Sequence, residues 1–267
     1  MNHATRCTAA AVLCAALLAP FAASAQDEAE SPFSWNVTAV SDYVFRGVSQ
    51  TDEDPTLQAG FTYTSPVGLY AGVWGSGVDF GDGGPDAEVD YFIGYGVDVT
   101  DSVNFDVMLN HYSYPGSSEL AYTELITKTS FAEHYNVTVA YTNDVWNTDT
   151  DGWYFAAGTE WALPNEFNLT ANVGRSTFED GIAQDYTDWN IGVNRSWGLF
   201  TLGLGYYGTD GNGRDNSGKL ADNRGVHGRR GAVGIDRWSI PRTRKKAPDG
   251  CLFRTDQRSV PTAMQPG

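Results

Sequence analysis

From residue 35 to about residue 207, apolar and polar side chains change places at every second position, segment after segment. In the clearest segment, Val89, Tyr91, Ile93, Tyr95, Val97 and Val99 share one parity, and Asp90, Phe92, Gly94, Gly96 and Asp98 take the other. A strand turns successive side chains to opposite faces, so a period of two specifies β structure and is incompatible with the 3.6-residue repeat of a helix. Residues 35–50 open the series: Trp35, Val37, Ala39, Tyr43 and Phe45 lie on one face, with Asn36, Thr38, Asp42 and Arg46 on the other. They read as one long strand. Ten further segments follow, most of them with the length of about 9–11 residues that a tilted strand needs to cross a bilayer.

The connections keep a rhythm. Those at 65–68, 100–102, 131–134, 163–166 and 196–198 are short. Those at 49–55, 80–87, 113–119, 143–151, 176–185 and 208–222 are longer, acidic and rich in Gly and Asp. Outer-membrane barrels pair short periplasmic turns with long outer loops in this way. Aromatic residues stand near both ends of the apolar faces, as with Trp35 and Phe45, Tyr135 and Tyr141, Trp153 and Trp161, and Phe200 and Tyr206; that is the placement of interfacial girdles. The expected fold is therefore all-β, a transmembrane up-and-down antiparallel barrel. Even strand numbers are the rule for such barrels, so about 12 strands are expected, with 11 recognisable. A soluble β-sandwich is the alternative.

The two ends of the chain differ from its body. Arg6, an apolar run at 9–18 and Ala23-Ser24-Ala25 make residues 1–25 a secretory signal peptide, too short in its apolar part to span a membrane. No later stretch holds 18 consecutive apolar residues, and Cys251 is the sole cysteine beyond the signal, so neither a transmembrane helix nor a disulfide framework is expected. Residues 27–223 carry 30 acidic and 6 basic side chains, whereas residues 224–267 carry 3 and 10. The domains are thus read as 1–25 signal peptide, 26–223 barrel and 224–267 basic, disordered tail. Where a twelfth strand is due, the tail offers no alternating segment. It reads as out-of-frame translation starting within 217–225, as a basic extension that binds a partner, or as an inert segment. In each case residues 35–50 are expected to lack their closing strand.

Motifs for bond chemistry are weak. Gly203 to Gly208 matches GxGxxG, but inside a strand with no helix after it. Asn147-Thr-Asp-Thr-Asp-Gly152 imitates the start of a calcium loop, yet Gly158 holds the bidentate glutamate position. His111 and His134 are the histidines of the barrel segment, without a GxSxG nucleophile. No enzyme, cofactor or metal is expected. What remains is the polar face: Asp42, Arg46, Asp90, Asp98, Asn104, Asp106, Asn110 and Glu160 are the candidate lumen-lining residues by parity. Charges that line a narrow pore set ion selectivity, and an acidic excess favours cations. The other possibility is a plugged interior in which these groups bond to one another.

Residues 35–50, together with Glu88-Val-Asp-Tyr-Phe-Ile-Gly-Tyr95 and the Gly203–Tyr207 ending, resemble the TorF-family putative porins. The resemblance covers about residues 33–223 and implies a bacterial outer-membrane barrel, lending more to architecture than to mechanism. The reading is a porin-like outer-membrane channel for passive diffusion of small polar solutes or cations. The alternative is a non-conducting structural or ligand-binding barrel. Expected partners are outer-membrane lipid and the barrel assembly machinery, with no nucleic acid.

Overall fold

The computed structural model describes residues 31–179 and 181–221. The signal peptide and the tail at 224–267 lie outside the described residues. Thirteen strands follow in chain order: β1 (Phe33–Val40), β2 (Val44–Phe45), β3 (Val48–Ser49), β4 (Thr56–Thr64), β5 (Leu69–Gly77), β6 (Ala87–Thr100), β7 (Val103–Ser113), β8 (Tyr122–Phe131), β9 (Tyr135–Thr142), β10 (Gly152–Leu163), β11 (Phe167–Phe178), β12 (Tyr186–Trp197) and β13 (Phe200–Thr209). Eleven of them form one antiparallel meander in the order β1-β4-β5-β6-β7-β8-β9-β10-β11-β12-β13. The all-β, up-and-down architecture is the one expected, with the same eleven main strands. β1 and β13 stand at the two ends of this order and are not paired with each other.

Residues 35–50, expected as one strand, are not one. β1 stops at Val40, and β2 and β3 pair only with each other as a two-residue hairpin. Its turn is Arg46-Gly47, with φ of 46° and 81°. Positive φ at both central residues is the pattern of a type I′ turn, whose twist matches that of the flanking strands. Tyr43 and Phe45 keep the parity of Trp35 and Val37 yet turn inward, so neither belongs to an outer girdle. Tyr43 is buried and meets Trp74 of β5 edge-on at 5.4 Å.

The two faces of the sheet are inverted relative to a water-soluble fold. Leu57, Ile93 and Phe200 are 67%, 58% and 57% exposed, while Asp90 and Glu124 are 0% and 2% exposed. On the apolar face, aromatic side chains gather at the end with the short turns. Phe33 stacks on Phe61 at 5.6 Å, Phe131 on Tyr135 at 5.8 Å, and Tyr135 meets Trp161 edge-on at 6.1 Å. Nearer the long connections, Tyr141 and Trp153 lie 4.5 Å apart.

The connection after β13 also departs from expectation, since it holds a helix, α1 (Gly211–Ser217), where a loop was expected. Gly211 and Gly213 are poor helix formers. The turn is held by Asp210, whose side chain accepts from the Gly213 N–H at 3.1 Å and caps the helix. Beyond α1, Ala221 is fully buried and its carbonyl accepts from Thr209 Oγ1 at 3.1 Å.

Candidate functional site, a hairpin enclosed by the sheet

The β2–β3 hairpin touches strands from nearly every part of the meander, which establishes that the sheet curls around it. Phe45 lies edge-on to Tyr112 of β7 at 6.0 Å. Arg46 reaches Glu124 of β8 and lies over the ring of Tyr154 of β10 at 4.2 Å. Gly47 is pressed against β12 and β13: a Cβ there would fall 2.5 Å from Thr209 Cγ2 and 2.9 Å from the Gly208 carbonyl oxygen. At the base of the hairpin, Asp42 accepts from Ser49 Oγ at 2.5 Å and from Thr51 Oγ1 at 3.1 Å.

Arg46 and Glu124 form a two-pronged pair, Nη1 to Oε1 at 3.0 Å and Nη2 to Oε2 at 2.8 Å. The planar fork of a guanidinium matches a carboxylate in this way, and charge-assisted bonds of this kind are about twice as strong as neutral ones. Tyr112 donates a further hydrogen bond to Glu124 Oε2 at 3.0 Å. Burial alone would push the Arg46 guanidinium down, but the carboxylate of Glu124 outweighs it and holds the group above its ordinary value. Burial, reinforced by the carboxylates of Glu88 and Asp90, pushes the Tyr43 phenol up.

The eight residues singled out by parity fall into two groups. Asp42, Arg46, Asp90 and Asn110 sit in the half of the interior nearest the long connections, packed around the hairpin, where Asn110 Nδ2 donates to Asp90 Oδ2 at 3.2 Å. Asn104, Asp106 and Glu160 are half-buried in the other half, and Asp98 is exposed at its end. There Asn104 donates to Asp98 Oδ1 at 2.9 Å and the Tyr70 hydroxyl donates to Asp106 Oδ1 at 2.7 Å. The eight therefore do not make one site.

Three interior carboxylates lay outside that set: Glu88, Glu124 and Asp188 are all buried. Glu88 shares the parity of Asp90, so the signal was present for it. Glu124 was obscured because β8 carries apolar residues on both parities. The two histidines have structural partners. His134 Nδ1 lies 3.0 Å from the Glu160 carbonyl oxygen, and its ring stacks on Trp161 at 4.0 Å. His111 Nδ1 lies 3.0 Å from Thr123 Oγ1.

Residues 24–226 match the profile of a family described as a bacterial protein of unknown function, Gcw_chp. The chain belongs to the Gcw_chp family. No curated protein matches it. Among solved structures, this Gcw_chp chain is similar to KdgM porin at 5% identity and a TM-score of 0.46, covering 78% of this chain and 99% of that one. It is similar to NanC porin at 9% identity and a TM-score of 0.49, covering 76% and 97%. A third likeness is to OccAB3 of Acinetobacter baumannii, at 9% identity and a TM-score of 0.31, covering 74% and 59%.

Proposed function

We propose that this Gcw_chp chain is an outer-membrane β-barrel that passes small polar solutes or cations by passive diffusion, without bond chemistry. The inverted burial of its two faces carries the reading. Fully burying a large apolar side chain is worth about 1.5–3 kcal/mol, and soluble monomers rarely expose contiguous apolar patches larger than a few hundred Å². Here Leu57, Ile93, Leu109, Val173, Leu204 and many others point outward while carboxylates are buried inside. A hydrocarbon surround accounts for both faces at once, and a meander that curls on itself satisfies the backbone between its paired strands. The resemblance of residues 35–50 to the TorF-family putative porins supports the same reading.

Asp98, Asp106 and Glu160 outnumber Lys128 in the half of the interior away from the hairpin, which gives that half an acidic excess and a bias toward cations. Planar-bilayer recording of the full-length protein tests the proposal, with discrete cation-biased conductance steps as the expected result. Their absence at every voltage, from protein that migrates as a folded, heat-modifiable band in outer-membrane fractions, would defeat it.

One observation favours a second reading. The hairpin and the Arg46–Glu124 pair occupy the half of the interior nearest the long connections, so the barrel could serve as a non-conducting structural or binding element. Shortening residues 43–50 to a two-residue link separates the two readings. A channel narrowed by the hairpin conducts before trimming and gains conductance after it, whereas a barrel plugged by the hairpin is silent until residues 43–50 are trimmed.

A further inference from the structure

Away from the hairpin, the strand register aligns a row of uncharged polar side chains across the inner face. Asn104 of β7 stands opposite Ser130 of β8, Ser130 opposite Asn136 of β9, and Asn136 opposite Gly158 of β10. Gly158 stands opposite Asn172 of β11, Asn172 opposite Asn190 of β12, and Asn190 opposite Tyr207 of β13. Each of these residues is partly exposed. The glycine is what lets the row run on. A Cβ at Gly158 would collide with the side-chain amides of both Asn136 and Asn172, each of which reaches over the glycine. Asn172 Nδ2 donates to Asn190 Oδ1 at 3.0 Å. Among the described residues, neither the Asn136 side chain nor the Asn190 amide nitrogen has a hydrogen-bond partner.

Each asparagine offers two donors and an acceptor with two lone pairs. The row therefore presents both kinds of group, without net charge, along one continuous band. Charges border the row: Asp98 accepts from Asn104 at one end, Asp106 accepts from Tyr70 and stands in register with Lys128, and Glu160 lies two residues beyond Gly158 on β10. A neutral solute carrying several hydroxyls, each able to donate and accept, can exchange its water for such a band bond for bond. The row itself offers an ion only neutral dipoles, so the cation bias rests on the bordering carboxylates and not on this band.

We infer that the Asn136–Asn172–Asn190 row is a binding layer for small uncharged polyhydroxylated solutes, of the sugar or polyol class. The inference rests on the channel reading and names what that channel selects. A saturable site in a pore shows itself when bound solute interrupts ion flow. Single-channel current of the full-length protein in KCl is therefore to be titrated with glucose, beside the variants N172L/N190L and N136L, each verified as a heat-modifiable band. The expected result is a saturable fall in current whose half-saturating concentration rises fivefold or more in both variants.

A current that falls only in proportion to solution viscosity, equally in all three proteins, overturns the inference while leaving the channel intact. So does saturable block that both variants retain unchanged. Folded protein that gives no channel events overturns the channel reading and the binding layer with it.

Discussion

Arg46 and Glu124 carry opposite charges into a space where water has little access, and each is there on the other's account. Removing one partner of a buried pair costs about 3–5 kcal/mol, because the remaining charge stays desolvated. Arg46→Ala is therefore expected to lower the urea midpoint of the folded, heat-modifiable band, by an amount corresponding to about 3 kcal/mol or more. The double variant R46M/E124M, which replaces the pair by apolar groups of similar length, should lose much less. If the single and double variants unfold alike, the pair is not what holds the hairpin. Gly47 is constrained in two ways, by a φ of 81° and by the Gly208 carbonyl oxygen. A non-glycine residue held in the left-handed region costs about 1–3 kcal/mol, and the close contact adds to it. Gly47→Ala should destabilise the same band by at least that amount. Gly81, which has φ of 91° but open space around it, is the control expected to lose less on substitution by alanine.

At the scale of elements, the main strands were legible in the sequence because alternation and turn chemistry point the same way in each. The Ser65-Pro66-Val67-Gly68 turn and the β6–β7 connection fall where Pro, Gly, Asp and Ser predict them. The hairpin was hidden by its parity: Tyr43 and Phe45 continue the apolar face of Trp35 and Val37 in register, so alternation alone cannot separate a long strand from a strand followed by an inward fold. Arg46-Gly47 was the local signal, a glycine able to take positive φ between Phe45 and Val48, two residues of high strand propensity that pair across the turn. The candidate site was only half legible for a related reason. Parity identifies which residues face inward but not how deep they lie, so it grouped Asp90, fully buried, with Asp98, exposed. The helix α1 was not legible, because the capping Asp210 is held in place by the Thr187 N–H of β12, a partner that only the fold brings to it. The hairpin also carries the prediction belonging to this scale. Trimming residues 43–50 should raise single-channel conductance several-fold and leave the migration of the folded band in place; unchanged conductance would mean that solute never passes the hairpin.

For the molecule as a whole, charge acts through position. Most of the acidic excess of residues 27–223 lies in the long connections or is bonded around the hairpin, and only a few carboxylates border the half of the interior away from it. Ion preference should therefore respond to a few sites rather than to net charge. Asp98→Lys, at the exposed end of β6, is expected to move the reversal potential in a KCl gradient away from the cation limit. Substituting an acid of a long connection such as Asp82 by lysine should leave it nearly still. A shift of equal size from both would place selectivity in the loops. The same logic explains why the mean hydropathy of the chain says little about its setting: apolar side chains are concentrated on one face and polar ones on the other, so the average cancels.

The contact of Gly47 with β12 and β13 has a bearing on how such a chain can change over generations. Repeat meanders readily gain or lose a pair of strands by duplication or deletion of one hairpin. In this chain the tip of an early segment spans the interior, with Arg46 bonded to Glu124 of β8 and Gly47 pressed against Thr209 of β13 some 160 residues later, in the same way that a caliper holds two walls at a set distance. Adding a strand pair between β8 and β13 would move these strands apart and pull the tip off one of them; removing one would crowd them onto it. The enclosed hairpin therefore acts as a gauge of circumference, and lineages that keep the Arg46-Gly47 tip should keep the strand number as well.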